Sequence, residues 1–263
     1  EACPDMRPVL RIETGMHVAR LSLVGVDRAC RIAATASDDK TVRLWSLPEG
    51  RLLRTLRWPI GSGDLGKAFA VAVSPDGRYV AAGGWDAAHE VDGKIALTVF
   101  DAATGAVVKR IGAFDNVVLH LAFSRDGRYL AATLGGGQGV RMIDTSDWRV
   151  VPEDTSYGAR SDGAAFGPDG RLYTVAYDGK VRRYAAGPGF KREAEVETRG
   201  GKRPYSIAVD PRGERIAIGY ADSAAVDLYD APSLRYRGVA DTSAVTNGNL
   251  STVQWRADGG ALI

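Results

Sequence analysis

The chain of 263 residues carries 34 basic and 32 acidic side chains, which gives a formal net charge of +2, and 45% of its residues are hydrophobic. This balance is typical of a soluble globular protein and argues against an electrostatic nucleic-acid binder, which shows a basic excess. No uncharged apolar run approaches the roughly 18 residues that a membrane span needs. The 32 glycines follow no collagen-like period and indicate many turns.

The first segment holds one of two cysteines, Cys3, and Cys30 follows in the first repeat. No Cys-x-x-Cys pair or His/Cys cluster predicts a zinc site. Two interpretations stay open: one bridge formed in an oxidising compartment, or two unrelated thiols with Cys30 buried in a strand. The start at Glu1, without a methionine, fits a mature secreted or periplasmic protein or a cloned fragment, so a secreted location is favoured over a cytoplasmic one.

One turn motif recurs along the rest of the chain at intervals of 43 to 50 residues. In it, proline fixes φ, aspartate folds back onto backbone amides and glycine accepts a positive φ. Each copy therefore predicts a tight connection between two strands. The copies are SPDGR at 74–78, SRDGR at 124–128, GPDGR at 167–171, DPRGE at 210–214 and RADGG at 256–260.

In chain order, each repeat predicts four strands. An apolar strand such as 69–73 precedes the turn, and a strand of small residues such as 79–82 follows it. A third strand ends in an aromatic or aliphatic residue, as at 42–45, and a polar fourth strand follows, as at 51–56. The repeats occupy residues 19–57, 69–112, 117–152, 163–197 and 205–239, and residues 251–263 open a further one. This pattern predicts an all-β propeller.

Residues 34–45 (ATASDDKTVRLW) resemble the hairpin between the second and third strands of the WD-repeat family, and Met16-His17 stands where that family has Gly-His. The similarity covers nearly the whole chain. It implies one propeller domain over residues 1–263, built from four-stranded antiparallel blades. It also implies a structural role for His17, which would bond to Asp39 and, through a strand hydroxyl, to Trp45.

The resemblance implies that residues 8–13 form an outer strand that closes the ring. Five blades and a fraction would then belong to a ring of six to eight blades, with seven expected. The remainder would lie beyond Ile263, or a separately cleaved segment would complete the ring. A bacterial chain of this type is often joined to a protease-like or signalling domain, so the resemblance also implies a fused or associated domain.

The WD-repeat resemblance implies a non-catalytic scaffold or sensor module that binds a protein partner, without a cofactor. Its long, dissimilar loops would gather on one face of the propeller, where function usually sits on a repeat scaffold. Aromatic and basic side chains on these loops are candidate contact residues, because such types dominate interface hot spots. The alternative is that these aromatics only cover the blade ends. The candidates are Trp58, Trp85, Tyr157, Arg160, Tyr177, Lys202, Arg203, Tyr205 and Tyr220.

The alternative function is a metal-dependent propeller hydrolase or lactonase with its site at the channel mouth. Its candidate ligands lie within one loop, Asp86, His89, Glu90 and Asp92. Carboxylates and an imidazole suit a cation, but a single hairpin need not bring them together, and a solvated charged loop is the simpler interpretation. His120, in an inner strand, is expected to be a hydrogen-bonded side chain facing the channel rather than a base.

Overall fold

A computed structural model describes residues 14–85, 94–245 and 248–263. Within these ranges the chain forms twenty strands and no helix. The predicted closing strand at 8–13 and Cys3 lie outside the described residues. In the described part of the chain there is thus no helix of the length and apolar character that a membrane crossing requires.

The twenty strands form five four-stranded antiparallel sheets, and in each sheet neighbouring strands follow one another in sequence. The first two sheets hold β1 (Leu21–Val26), β2 (Ile32–Ser37), β3 (Val42–Ser46), β4 (Leu52–Leu56), β5 (Ala68–Val73), β6 (Tyr79–Gly84), β7 (Ile95–Asp101) and β8 (Val107–Phe114). The next two hold β9 (Val118–Phe123), β10 (Tyr129–Leu134), β11 (Val140–Asp144), β12 (Arg149–Asp154), β13 (Ser161–Phe166), β14 (Leu172–Ala176), β15 (Lys180–Tyr184) and β16 (Arg192–Glu197). The fifth holds β17 (Pro204–Val209), β18 (Arg215–Tyr220), β19 (Val226–Asp230) and β20 (Tyr236–Val239). These sheets are the blades of an all-β propeller.

The blades contact one another in sequence order through their first strands, which lie innermost. Small residues allow this close approach. A Cβ on Gly25 of β1 would lie 3.0 Å from the Cα of Ala72 in β5, and a Cβ on Gly163 of β13 would lie 2.9 Å from the carbonyl oxygen of Tyr205 in β17. A larger side chain at either glycine would push two blades apart.

The hydrophobic core consists of five clusters. Four of them lie between successive sheets, and the fifth lies between the last sheet and residues 250–262. The second strands supply small buried residues to both sides, as Ala34 and Ala81 do. The second to fifth sheets have a cluster on each face, so their central strands read as continuous apolar runs, which is the pattern that the sequence shows.

Two hydrogen-bonding patterns stabilise the repeated turns between first and second strands. In the second blade the Ser74 hydroxyl donates to Asp76 Oδ1 at 2.5 Å, and Asp76 accepts the amide of Arg78. In the first blade the buried Asp27 accepts the amide and the guanidinium of Arg31, whose Nη2 reaches the carbonyl of Asp76 in the next turn. These contacts link the turns of neighbouring blades.

Cys30 lies in the turn between β1 and β2, where it is exposed and has a φ of 53°. The expectation that this thiol would be buried in a strand is therefore wrong. The turn places Cys30 at the position of Gly77 in the second blade, and this position needs a left-handed backbone. The pairing with Cys3 involves a residue outside the described part of the chain.

Candidate functional site

Two surfaces close the ends of the blades. The loop-rich face carries the connections between blades and those between second and third strands, at residues 15–20, 38–41, 57–67, 115–117, 135–139, 155–160, 177–179, 198–203 and 221–225. The turn face, at the opposite end, carries the repeated turns. The predicted contact residues all lie on or just beneath the loop-rich face, so their burial decides which of them a partner can reach.

The first blade ties its entering loop to its hairpin through side chains. His17 Nδ1 lies 2.8 Å from Asp39 Oδ2, and His17 Nε2 lies 2.8 Å from Thr35 Oγ1. The Trp45 indole donates to the same Thr35 hydroxyl at 2.8 Å. Burial opposes the ionisation of Asp39, but hydrogen bonds from Thr41 and His17 outweigh it and lower the pKa of this carboxyl. The hydrogen bonds expected for His17, Asp39 and Trp45 are present.

The fourth blade builds an equivalent network from other residues. The Tyr157 hydroxyl lies 2.5 Å from Thr174 Oγ1 and 2.8 Å from the Tyr184 hydroxyl. The Arg182 guanidinium covers the Tyr157 ring at 4.0 Å. Burial raises the pKa of Tyr157 to about 12. Since Tyr157 is only 8% exposed, its prediction as a contact residue is wrong: it holds the blade together instead.

Tyr220 in the fifth blade is fully buried and donates a short hydrogen bond to Asp227. Asp227 also accepts the backbone amides of Arg199 and Gly200, at 2.8 and 2.9 Å. Burial together with the nearby carboxylate raises the pKa of Tyr220. The prediction of Tyr220 as a contact residue is therefore wrong, because its ring and hydroxyl both face the interior.

Trp58 is likewise part of the core. It is 5% exposed, its ring stacks on Phe100 at 6.3 Å, and its indole donates to the carbonyl of Gly66 at 2.9 Å. The loop that follows the first blade folds over this indole, which excludes it from partner contact. Trp85 lies half-buried at the end of the described part of the neighbouring loop and keeps some exposure.

A carboxylate in the connection between second and third strands fixes the entering loop in three blades. Each carboxylate accepts one or more backbone amides of that loop. The loop can therefore open only by breaking charge-assisted hydrogen bonds. Asp39 accepts Val18 at 3.2 Å, Asp178 accepts Gly158 at 3.0 Å, and Asp222 accepts Lys202 and Arg203 at 3.0 and 3.1 Å.

Four polar side chains converge between the fourth and fifth blades. Arg160 donates to Asp162 through two guanidinium nitrogens, Nε to Oδ2 at 2.8 Å and Nη2 to Oδ1. The Arg160 guanidinium also stacks over the Tyr177 ring at 5.1 Å. The charges of Asp162 and Arg160 both act on Tyr205, and burial raises the pKa of Tyr177 and of Tyr205. The structure thus brings three of the predicted contact residues together.

Asp162 is the buried member of this cluster, with its side chain 4% exposed. Burial raises its pKa more strongly than the pairing with Arg160 lowers it. Lys202 and Arg203 are exposed beside the cluster and form no ion pair with any other described residue. The accessible surface is therefore two half-buried tyrosines with a surplus of positive charge.

Asp162, Asp178, Asp222 and Asp227 were missed by reasoning from the sequence. The signal for Asp178 and Asp222 was present, because both follow a second strand at the place of Asp39. Asp162 and Asp227 lie inside strands, where a carboxylate looked like an ordinary solvent-facing residue. Only the three-dimensional structure shows that these two carboxylates are buried against a loop.

The predicted metal ligands Asp86, His89, Glu90 and Asp92 lie outside the described residues. The rest of the chain that the structure describes brings together no three side chains suited to holding a metal ion. His120 lines the channel side of the third blade beside β1 and β5, but its Nδ1 has no hydrogen-bond partner among the described residues, so the expectation that it is hydrogen-bonded fails at this atom. Burial lowers its pKa to about 4, which makes it neutral.

Comparison with known families decides the relationship. Residues 18–46 and 51–88 match the family model described as WD domain, G-beta repeat. These segments contain the His17-linked hairpin and the first repeated turn. These two segments are repeats of the WD type, and the chain is similar to WD-repeat proteins beyond them. WD-repeat proteins generally act as scaffolds for protein interaction, and the five described sheets are blades of this type.

Three relatives illustrate the similarity. The WD repeat-containing protein SL1-17 of Schistosoma mansoni is 30% identical over 164 residues, 61% of this chain and 49% of that protein. The WD repeat-containing protein VIP3 of Arabidopsis thaliana is 30% identical over 117 residues, 44% of this chain and 32% of that protein. Telomerase protein component 1 of Rattus norvegicus is 25% identical over 194 residues, 72% of this chain and 7% of that protein.

The chain spans about half the length of the first of these relatives and about a third of the second. All three come from eukaryotes, so they give no support to the predicted bacterial origin or secreted location. Neither the relatives nor the described residues support the alternative of a metal-dependent hydrolase. The number of blades in the complete ring stays a prediction.

Proposed function

We propose that this WD-repeat chain binds a protein partner on its loop-rich face, at the cluster formed by Arg160, Tyr177 and Tyr205. The observation that supports it is the convergence of these three side chains, from two blades, on one half-exposed patch. Tyrosine and arginine contribute most to interface hot spots, because each combines a large apolar contact with a polar end.

The entering loops on both sides of the patch are held by carboxylates. Asp178 holds the loop before β13, and Asp222 holds the loop before β17. A partner therefore meets a surface that is already ordered and does not have to lose loop entropy on binding. This rigidity supports equilibrium recognition by a preformed site.

The charge of the patch indicates the partner's contact chemistry. The carboxylate of Asp162 is buried and occupied by Arg160, while Lys202 and Arg203 are exposed next to Tyr205. A partner segment that offers carboxylates around an apolar side chain would gain electrostatic steering and stacking on the tyrosines together.

The test is affinity capture with the full-length protein and its Tyr205→Ala and Tyr177→Ala variants, followed by titration of the captured partner. Arg51→Ala, on the exposed start of the outer strand of the first blade, is the control. We expect each tyrosine substitution to lower the affinity for the partner about tenfold or more, since truncating a hot-spot residue costs over about 1.4 kcal/mol of binding free energy. The midpoint temperature of thermal unfolding must be the same for each variant as for the wild type.

A partner retained equally by wild type, both tyrosine variants and the control would show that the loop-rich patch is not its binding site. Retention lost in all variants, including Arg51→Ala, would show that the loss does not depend on the patch. Either outcome refutes the proposal.

A further inference from the structure

The repeated turns pack against one another on the turn face. In three places the glycine of one turn sits beside the proline ring of a turn in the preceding blade. A Cβ built on that glycine would lie between 2.7 and 3.5 Å from a ring carbon, so no gap remains. The pairs are Pro75 with Gly127, Pro168 with Gly213, and Pro211 with Gly259.

The third blade interrupts this series. Arg125 stands where its neighbours have proline, and the glycine of the fourth turn, Gly170, has no ring against it. A Cβ on Gly170 would meet only the Cβ of Ala186, at 3.3 Å. Arg125 instead extends toward the fifth blade, with Nη1 at 3.4 Å from the carbonyl of Pro211.

A cleft of about 640 Å³ opens between the third and fourth turns as a result. Its volume is that of a site for a small group or a few side chains. It is lined by residues 167–170 and 186–188 of the fourth blade, together with Arg28, Ser124, Arg125, Asp126, Arg128 and Tyr129. Arg28 also stands at a proline position, that of the first turn, so two of the three departures from proline supply a guanidinium to this cleft, the third being Ala257.

The cleft carries more positive charge than its own carboxylates neutralise. Arg28 and Arg125 are exposed and form no ion pair with another described residue. Asp126 is occupied by the Ser124 hydroxyl at 2.5 Å and by a backbone amide, and Asp169 pairs with Arg171 at 2.6 Å. Guanidinium groups without a carboxylate partner can take one up in bidentate geometry.

We infer that this cleft binds an extended acidic segment of a protein partner, by pairing its carboxylates with Arg28 and Arg125. Charge complementarity carries the assignment. The ring of Tyr129 is buried and covered by Arg128 at 5.4 Å, so the cleft offers no open aromatic face for stacking a nucleobase. The site lies on the turn face, opposite the loop-rich patch, so the chain would hold two partners, or two parts of one, at opposite ends.

The test measures fluorescence anisotropy of a labelled oligoglutamate peptide with the full-length protein at low salt. Arg125→Pro restores the residue that three other turns carry, so it fills the cleft while keeping the turn. Arg28→Ala removes the second cation and leaves the third turn untouched. Arg51→Ala, on an outer strand, changes the net charge equally and is the matched control. We expect about tenfold weaker binding for each cleft variant and no change for the control.

Four outcomes overturn the inference: no binding to the wild type, equal loss with Arg51→Ala, no loss with Arg125→Pro and Arg28→Ala, or stronger arginine-dependent binding of a short oligonucleotide than of oligoglutamate. The last would assign the cleft to nucleic acid. Circular dichroism checks each fold, and Arg125→Gln gives the same readout if the proline variant is unstable. Partner binding at Tyr205 should be unaffected by every cleft variant, so failure here is distinct from failure of the loop-rich proposal.

Discussion

The hydroxyl networks of the first and fourth blades predict different costs for the same substitution. Thr35 and Thr174 occupy equivalent places in their second strands, opposite Arg43 and Arg182. Replacing each by valine keeps the shape and the β-branch and removes only the hydroxyl. What differs is the set of partners that lose a hydrogen bond.

In the first blade, Asp39 accepts from His17 Nδ1, so Nδ1 is assigned the proton and Nε2 accepts from Thr35. Thr35→Val then leaves two groups without their partner, His17 Nε2 and the indole N–H of Trp45. The His17 side chain is 6% exposed, so water replaces the lost bond poorly. At about 1–3 kcal/mol for each buried group left unpaired, and with Trp45 only half-buried, the loss is about 2–4 kcal/mol.

In the fourth blade, the Tyr184 hydroxyl donates to Asp154 at 2.8 Å, so Tyr157 donates to Tyr184 and accepts from Thr174. After Thr174→Val the Tyr157 hydroxyl still has its acceptor and loses only an incoming bond. The expected loss is therefore about 1 kcal/mol, the worth of one hydrogen bond.

Urea unfolding of both variants and the wild type, followed by tryptophan fluorescence, measures the two losses. A Thr35→Val loss equal to or smaller than that of Thr174→Val would refute the assignment of partners. Unchanged circular dichroism at zero urea is the required control. An m-value equal to that of the wild type ensures that the midpoints report stability alone.

Two further predictions concern single side chains. Asp162 has a raised pKa because burial disfavours its charge, so its contribution is fully present below the ordinary carboxyl pKa of 3.8 and is lost as the pH rises through the raised value. Asp162→Asn therefore gains stability relative to wild type as the pH rises through that window, and a relative loss in urea unfolding would contradict this. Cys30 has a φ of 53° at the turn position that Gly77 occupies in the second blade. Cys30→Gly should add about 0.5–1 kcal/mol by relieving a left-handed backbone, while Cys30→Ser should add nothing; equal unfolding midpoints for the two would disprove it.

The strands and their order could be predicted from the sequence because the turn motif repeats in a form whose chemistry is local. Proline, aspartate and glycine set the turn wherever they occur, and the neighbouring apolar runs follow a strand pattern. The network of His17, Asp39 and Trp45 was predicted for the same reason: its residues match the family at known spacings. The turns needed only neighbours in sequence, whereas the network, which joins residues 17 to 45, needed the resemblance.

The burial of Trp58, Tyr157 and Tyr220 could not be predicted in this way. Each follows or precedes a loop, where an aromatic residue indicates a contact surface as readily as a core. Their burial depends on partners far along the chain, such as Tyr184 for Tyr157 and Phe100 for Trp58. A sequence pattern does not show which loop folds over which blade. The exposure of an aromatic side chain near a loop is therefore hard to predict from the sequence.

The aspartates that fix the entering loops explain why divergent blades still form one rigid face. Asp39, Asp178 and Asp222 accept backbone amide N–H groups, which every residue except proline supplies. The loop side chains are therefore free to vary without loss of the anchor. Variation in loops such as 198–203 thus alters the chemistry of the face but not its order, which is the property that the proposed binding role requires.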